Sequence, residues 1–284
     1  MQTRKFEHLL QLPLNDDRKG EGGLRLKSVF KKTSNSQPLV TIITVVFNGK
    51  DYLESTIQSV LNQSYGNLEY IIIDGGSTDG SIDIIRKYED RLDYWVSEKD
   101  QGISDAFNKG VVLANGDYIN FQGDGDGFLE PDSVERLLEG ADPVKDVLIC
   151  GRVRRVDLEG KKLFDSPLLH FRKTNLLFRM ALPHQGLFTS VRYFQEYGLF
   201  DVTNKFCMDY DHLLRAYRNF PKVRTTDQVV AQWRADGVGN GRTLDVFREY
   251  DLVKRRNKVA PAFILSLINI WTILKFKFKT ALGR

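Results

Sequence analysis

Four short apolar runs, at residues 39–47, 68–73, 93–97 and 117–121, constrain this chain more than any other feature. The first, Leu39-Val40-Thr41-Ile42-Ile43-Thr44-Val45-Val46-Phe47, is almost wholly β-branched or aromatic, as in strands buried on both faces of a parallel sheet. Between the runs, Leu53, Ile57, Val60 and Leu61, and then Ile82, Ile84, Ile85 and Tyr88, fall at helical spacing; residues 104–113 predict a third helix. The resulting β-α-β-α-β-α-β alternation predicts an α/β fold with a doubly wound, mostly parallel sheet. Ligands of such sheets bind beyond the carboxyl ends of the strands. Asn48, Asp74, Asp100 and the pair Asp124/Asp126 each follow one of these runs, so the pattern would gather them along one edge. Asp and Asn are also ordinary turn formers, but four such groups in half a domain favour a site.

Two acidic clusters suggest what the edge does. Gly123-Asp124-Gly125-Asp126 sets two carboxylates two residues apart on a Gly-rich loop, where both can reach one hard cation. Asp209-Tyr210-Asp211 opens a predicted helix and supplies a carboxylate suited to general-base work. A metal–phosphate clamp and a base are the parts needed to move a sugar from a nucleotide diphosphate to a hydroxyl. Other classes lack their signatures: no G-x-G-x-x-G follows the first strand, and there is no G-x-x-x-x-G-K-[ST].

In this order and spacing, the segments Thr41–Asn48, Tyr70–Gly80 (with Asp74-Gly75-Gly76-Ser77-Thr78-Asp79-Gly80), Ser97–Gly102, Asp105–Gly110, Gly116–Ile119 and the Asp124/Asp126 loop resemble family 2 glycosyltransferases of the GT-A fold, an inverting type found in bacterial cell-surface polysaccharide synthesis. The resemblance covers roughly residues 38–240. It implies that Thr44, Phe47 and Asn48 line the nucleotide pocket and that Asp74 accepts the imide N–H of uracil. Asp100, at a position often Asn in the family, is implied to contact base or ribose. Asp124 and Asp126 correspond to the family's Asp-x-Asp motif for Mg2+ or Mn2+ on the diphosphate, Asp126 being the favoured direct ligand. The catalytic base is implied at Asp209, with Asp211 as the alternative, and His184-Gln185 on the acceptor side. Two departures stand out: the metal loop carries Gly123 and Gly125 where relatives have polar residues, which predicts extra flexibility, and Phe107 replaces a common Arg. The implied reaction is a single inverting displacement from a nucleotide sugar, UDP-linked by preference, to a lipid-linked or polysaccharide-precursor glycan. The sequence leaves open a non-catalytic nucleotide-sugar-binding module. A processive synthase is disfavoured, because Gln232-Trp233-Arg234 does not match Gln-x-x-Arg-Trp.

The expected organisation is a weakly structured lead-in (1–37), a catalytic domain (38–245, with a nucleotide half at 38–130 and an acceptor half at 131–245) and a basic tail (246–284). From Asp251 onward, eight Lys or Arg face one Asp, so a net charge of +4 leaves the first 250 residues mildly acidic. Within the tail, residues 261–274 are strongly apolar but shorter than the ~20 residues of a membrane span. Lys254, Arg255, Arg256 and Lys258 precede this stretch; Lys275, Lys277 and Lys279 follow it. That pattern predicts an amphipathic helix on an anionic membrane surface or one packed on protein. Two distant cysteines, Cys150 and Cys207, and a start (Met1-Gln2-Thr3-Arg4-Lys5) without an apolar leader suit a cytoplasmic protein, peripheral at the inner face of the cell membrane. No nucleic-acid partner is expected.

Overall fold

A computed structural model describes residues 6–34, 37–167, 171–235, 237 and 241–281, with the side chain of Lys279 outside the description. Residues Met1–Lys5, on which the absence of a leader was read, also lie outside the described residues.

The predicted strands form the centre of the sheet. They are β2 (Val40–Val46), β3 (Leu68–Asp74), β4 (Tyr94–Ser97) and β5 (Tyr118–Gly123). They pair in parallel in the order β4-β3-β2-β5. Every residue of β2 is buried, which is why its sequence lacks polar alternation. Its side chains still alternate by face. Val40, Ile42 and Val46 pack with Leu53, Ile57 and Val60 of α1 (Leu53–Leu61) and Ile85 of α2 (Ser81–Lys87). Ile43 and Val45 pack with Ala106, Phe107 and Val111 of α3 (Ile103–Leu113) on the opposite face. Helices on both faces make the sheet doubly wound.

Beyond β5 the sheet changes character. β9 (Leu187–Ser190) runs antiparallel to both β5 and β7 (Leu148–Val156). The 12-residue β10 (Val223–Arg234) pairs parallel with β7 and antiparallel with the short β6 (Gly127–Phe128). β8 (Lys162–Asp165) forms an antiparallel hairpin with β7. A third core lies under this half, where Tyr193 of α5 (Val191–Tyr197), Tyr210 and Leu213 of α6 (Met208–Arg215), and Val253 of α7 (Thr243–Arg256) meet. α4 (Ser133–Leu138) packs on β10 and β7.

The lead-in differs from expectation. β1 (Gly20–Gly22) pairs antiparallel with β4 and extends the sheet. The Arg25 side chain is buried and donates to Glu69 Oε1 and to the Leu113 carbonyl, both at 2.7 Å. Glu69 also accepts from Thr41 Oγ1 and from the Asn115 N–H. This buried ion pair ties the segment to the sheet. α7 likewise belongs to the body, because Glu249 accepts the backbone N–H groups of Lys205, Phe206 and Cys207 at the start of α6.

Candidate active site

Strand order reverses between β2 and β5, so the crevice beyond their carboxyl ends is the expected ligand site. On the β2 side, Asn48 takes a left-handed conformation (φ 54°), its Oδ1 accepts the Thr78 N–H at 2.9 Å, and its own N–H donates to Ser77 Oγ. Phe47 stands at the rim with 66% of its surface exposed. Two sequence assignments need correction. Thr44 is fully buried within the sheet and its hydroxyl pairs with that of Tyr70 at 2.9 Å, so it cannot line a base pocket. Asp74 is also fully buried. Its Oδ2 accepts from the N–H groups of Gly76 and Ser77 and from Ser97 Oγ, while Oδ1 accepts from Ser77 Oγ. Asp74 organises the loop after β3 and has no face left for a ligand. Asp100, after β4, is only half-buried, and its Oδ1 accepts the Gly102 N–H at 2.8 Å.

On the β5 side, Asp124 lies against Gly49; a Cβ at residue 49 would collide with its carboxylate, so the switch point needs glycine there. The loop is pinned, contrary to the flexibility its glycines predict. Thr56 Oγ1 of α1 accepts the Gly125 N–H at 3.1 Å and donates to the Asp126 carbonyl at 2.6 Å. Gly125 serves a turn at φ +83°, with the Arg234 guanidinium packed against it and over the Tyr52 ring. The Asp126 carboxylate accepts from Gln185 Nε2 at 2.9 Å and from the N–H groups of Gly123 and Arg234. Burial, with the charge of Asp124 adding to it, pushes the Asp126 carboxyl up to about 7. The Asp126 carboxylate and that of neighbouring Asp124 are hard-oxygen donors of the kind a divalent cation takes. Among the described residues no three acidic, His or Cys side chains converge on one point. A cation would therefore complete its shell with water and phosphate oxygens, as Mg2+ commonly does.

The acceptor side is joined to this loop by one turn. His184–Gly186 forms a single 3-10 turn before β9. Its Gln185 carbonyl accepts from Asn120 Nδ2 and Gln122 Nε2 of β5, at 3.0 and 2.9 Å. Sequence reading missed these two amides; their signal was two polar residues in a buried strand. From this turn, Gln185 reaches Asp126 and His184 reaches the second acidic cluster, with His184 Nδ1 3.9 Å from Asp209 Oδ2. His184 stacks on Phe121 (4.8 Å between centroids) and packs near Phe107, so Phe107 supports the turn by packing. Burial holds the imidazole down at about 4, hence neutral near pH 7.

The two candidates for the base differ sharply. Asp209, in the first turn of α6, keeps 21% of its side chain exposed, and burial together with the charge of Glu249 pushes its carboxyl up to about 6. Asp211 is buried and bound by Arg215 and Arg256 at 2.9 Å each and by Asn257 at 2.8 Å. Burial opposes its charge, but the Arg256 and Arg215 hydrogen bonds outweigh it and hold the carboxyl below its usual range. Asp211 fastens α6 to α7; Asp209 stays partly exposed beside His184.

Comparison with known proteins gives the fold and the family. Over 211 residues the chain is 33% identical to an uncharacterised glycosyltransferase of Mycobacterium tuberculosis, covering 73% of this chain and 79% of that one. Among solved structures, residues 1–349 of S. aureus TarS, in complex with UDP-GlcNAc, superpose with a TM-score of 0.63 at 13% identity, covering 83% of this chain and 71% of that one. A mannosyltransferase from Pyrobaculum calidifontis, in complex with GDP-Man and Mn2+, gives 0.61 at 18% identity, covering 87% and 72%. These likenesses give the fold as GT-A. The family model for glycosyl transferase family 2 matches residues 41–195, and the chain belongs to that family.

Proposed function

We propose that this glycosyltransferase moves one sugar from a nucleotide-diphosphate sugar, UDP-linked by preference, to an acceptor hydroxyl in a single inverting displacement. The observation that supports the reading is the His184–Gly186 turn, whose Gln185 donates to Asp126 at 2.9 Å and whose His184 Nδ1 lies 3.9 Å from Asp209 Oδ2. In the reaction, the acceptor O–H loses its proton to the Asp209 carboxylate as the oxygen attacks the anomeric carbon. The bond from that carbon to the diphosphate oxygen breaks, and the nucleoside diphosphate leaves with the electron pair. Attack opposite the leaving group inverts the anomeric centre. Asp126 and Asp124 would hold Mg2+ or Mn2+, which when bound supplies Lewis-acid neutralisation of the diphosphate. Gln185 orients Asp126, and neutral His184 stands beside Asp209 without adding charge. The test is a panel of nucleotide sugars assayed for hydrolysis and transfer with Mn2+, Mg2+ or chelator. Turnover of a UDP-sugar only with metal supports the reading; donor binding without any turnover would instead make the chain a binding module.

The acceptor is proposed to be lipid-linked, presented at an anionic membrane surface. α8 (Ala262–Ala281) turns Leu265 and Ile268 into the body but leaves Phe263, Leu267, Ile270, Trp271, Leu274 and Phe278 each more than half exposed. Ser266, Asn269 and Thr272 are half-buried, so the polar stripe does not form the outer face. Not all the basic residues are free to bind a surface: Lys254 is buried, and Arg256 is paired with Asp201 and Asp211. Lys258, Lys275 and Lys277 remain exposed beside the apolar row, and each could contribute about 1 kcal/mol of attraction to anionic lipid. Among the described residues no helix is long and apolar enough to cross a membrane. Co-sedimentation of the full chain with anionic vesicles should fall for Leu267→Glu and Trp271→Glu. Equal binding by these variants would remove α8 from the surface.

A further inference from the structure

We propose that Glu249 of α7 is a positioning residue for the transfer reaction: it fixes the start of α6 and sets a permanent negative charge beside the helix turn that carries Asp209. The inference rests on the reading of Asp209 as the base, and it brings into the site a residue from the segment expected as a separate tail. Glu249 Oε1 accepts the N–H groups of Phe206 and Cys207 at 2.9 and 3.0 Å and the Cys207 thiol at 3.1 Å. Its Oε2 accepts the Lys205 N–H at 3.2 Å. Donors from three consecutive residues thus close on one carboxylate immediately before α6 begins at Met208. α7 continues the grip along α6. Tyr250 packs on Tyr210, with 4.5 Å between ring centroids, and Arg256 and Asn257 hold Asp211. Asp209 lies between these fastened points, so α7 fixes where its carboxylate stands relative to His184.

The same carboxylate acts through its charge. Burial opposes the ionisation of Glu249, but the hydrogen bonds from Phe206 and Cys207 outweigh it and hold the carboxyl below its usual range. Glu249 is therefore charged wherever Asp209 titrates. Among the described residues, the other titratable groups set against Asp209 are His184, Cys207 and Tyr250. Burial keeps the imidazole neutral and raises both the thiol and the phenol, so none of the three is charged near pH 7. Asp211, on the same helix, is already paired with Arg215 and Arg256. Glu249 is the charge that then adds to burial in raising the Asp209 carboxyl to about 6. A carboxylate in the first turn of a helix is ordinarily favoured by the positive end of the helix; Glu249 at the same end offsets that pull. A base raised in this way takes the acceptor's proton more readily and loses activity sooner as pH falls.

Two measurements on the full chain test this in wild type, Glu249→Gln and Glu249→Asp. One is carboxyl 13C NMR titration; the other is the pH dependence of transfer from a nucleotide sugar that the wild type turns over, with Mn2+ saturating. In the wild type Glu249 should titrate below Asp209, and the reverse order would overturn the inference without any substitution. Glutamine keeps the side chain's length and an accepting oxygen but carries no charge. Glu249→Gln should lower the Asp209 midpoint by about 0.5–1 unit, the scale of one neighbouring like charge partly screened by solvent. The acid limb of kcat/KM should move to lower pH by the same amount, and the plateau should fall by about two- to three-fold because the base is weaker. Glu249→Asp keeps the charge on a shorter side chain, so its acid limb should stay at the wild-type position while its plateau falls. A residue that only braced α6 would lower the plateau in both variants and move neither limb, and that result would overturn the inference. Shifted midpoints in a protein that turns over no nucleotide sugar would refute Asp209 as the base and leave the coupling of the two carboxylates standing.

Discussion

Asp209→Asn should lower turnover sharply and at the same time make the protein more stable at neutral pH. The Asp209 carboxyl moves from 3.8 to about 6 on folding, because burial opposes its charge and Glu249 adds to that opposition. A raised carboxyl means that the folded state prefers the protonated form. Below the unfolded value both states are protonated and no penalty exists. As pH rises towards the folded value the unfolded chain ionises first, and above it the full cost is present. About two units at ~1.36 kcal/mol each give a cost of about 3 kcal/mol at pH 8. Asparagine is neutral at every pH and its Oδ1 can keep the Tyr210 N–H bond that Asp209 makes. Denaturant unfolding at pH 3.5, 6 and 8 should therefore show the variant gaining stability as pH rises, with a melting point several degrees above wild type at pH 8. The gain should vanish at the lowest pH. A variant equal to or weaker than wild type at pH 8 would refute the desolvated placement of Asp209.

Other perturbations follow from the same geometry. Asp211→Ala should leave Arg215 and Arg256 without their buried partner and lose about 3–5 kcal/mol of stability by urea denaturation. The contribution of Asp211 itself is present above its unfolded value and should be lost as pH falls through its depressed folded value, the opposite sense to Asp209. Arg25→Ala, which strands a buried Glu69, should cost about 3–5 kcal/mol, measured the same way, and show that the lead-in is part of the fold. Gln185→Leu should free Asp126 from its side-chain donor and weaken Mn2+-dependent UDP binding in calorimetry, with the unfolding midpoint near wild type.

The nucleotide half was legible because burial on both faces left β2 and β3 with unmistakable β-branched runs. β10 escaped because its half-exposed residues mix charge with apolar positions and two register shifts break its pairing with β7. β1 is three residues long and carries no strand pattern of its own. At the site, position after a strand identified Asn48, Asp124 and Asp126 as edge residues but could not tell a ligand group from a loop organiser. Asp74 was the casualty, although Gly76 and Ser77 stand two and three residues on, where an Asp side chain can bond backbone N–H groups. Thr44 failed for a simpler reason: a hydroxyl inside a strand can be satisfied by a neighbour across the sheet. Asp209 and Asp211 look alike in sequence. Only the arginines on α6 and α7 separate them in space.

The two acidic clusters are proposed to form one active site with divided roles. The most direct test measures, for wild type, Asp126→Ala and Asp209→Asn, both the dissociation constant for UDP-sugar with Mn2+ and the rate of sugar transfer. Asp126→Ala should lose metal-dependent donor binding and turnover together. Asp209→Asn should bind donor as wild type does while turnover falls by about 10²- to 10⁴-fold. Normal turnover in Asp209→Asn, or unchanged metal-dependent binding in Asp126→Ala, would contradict it.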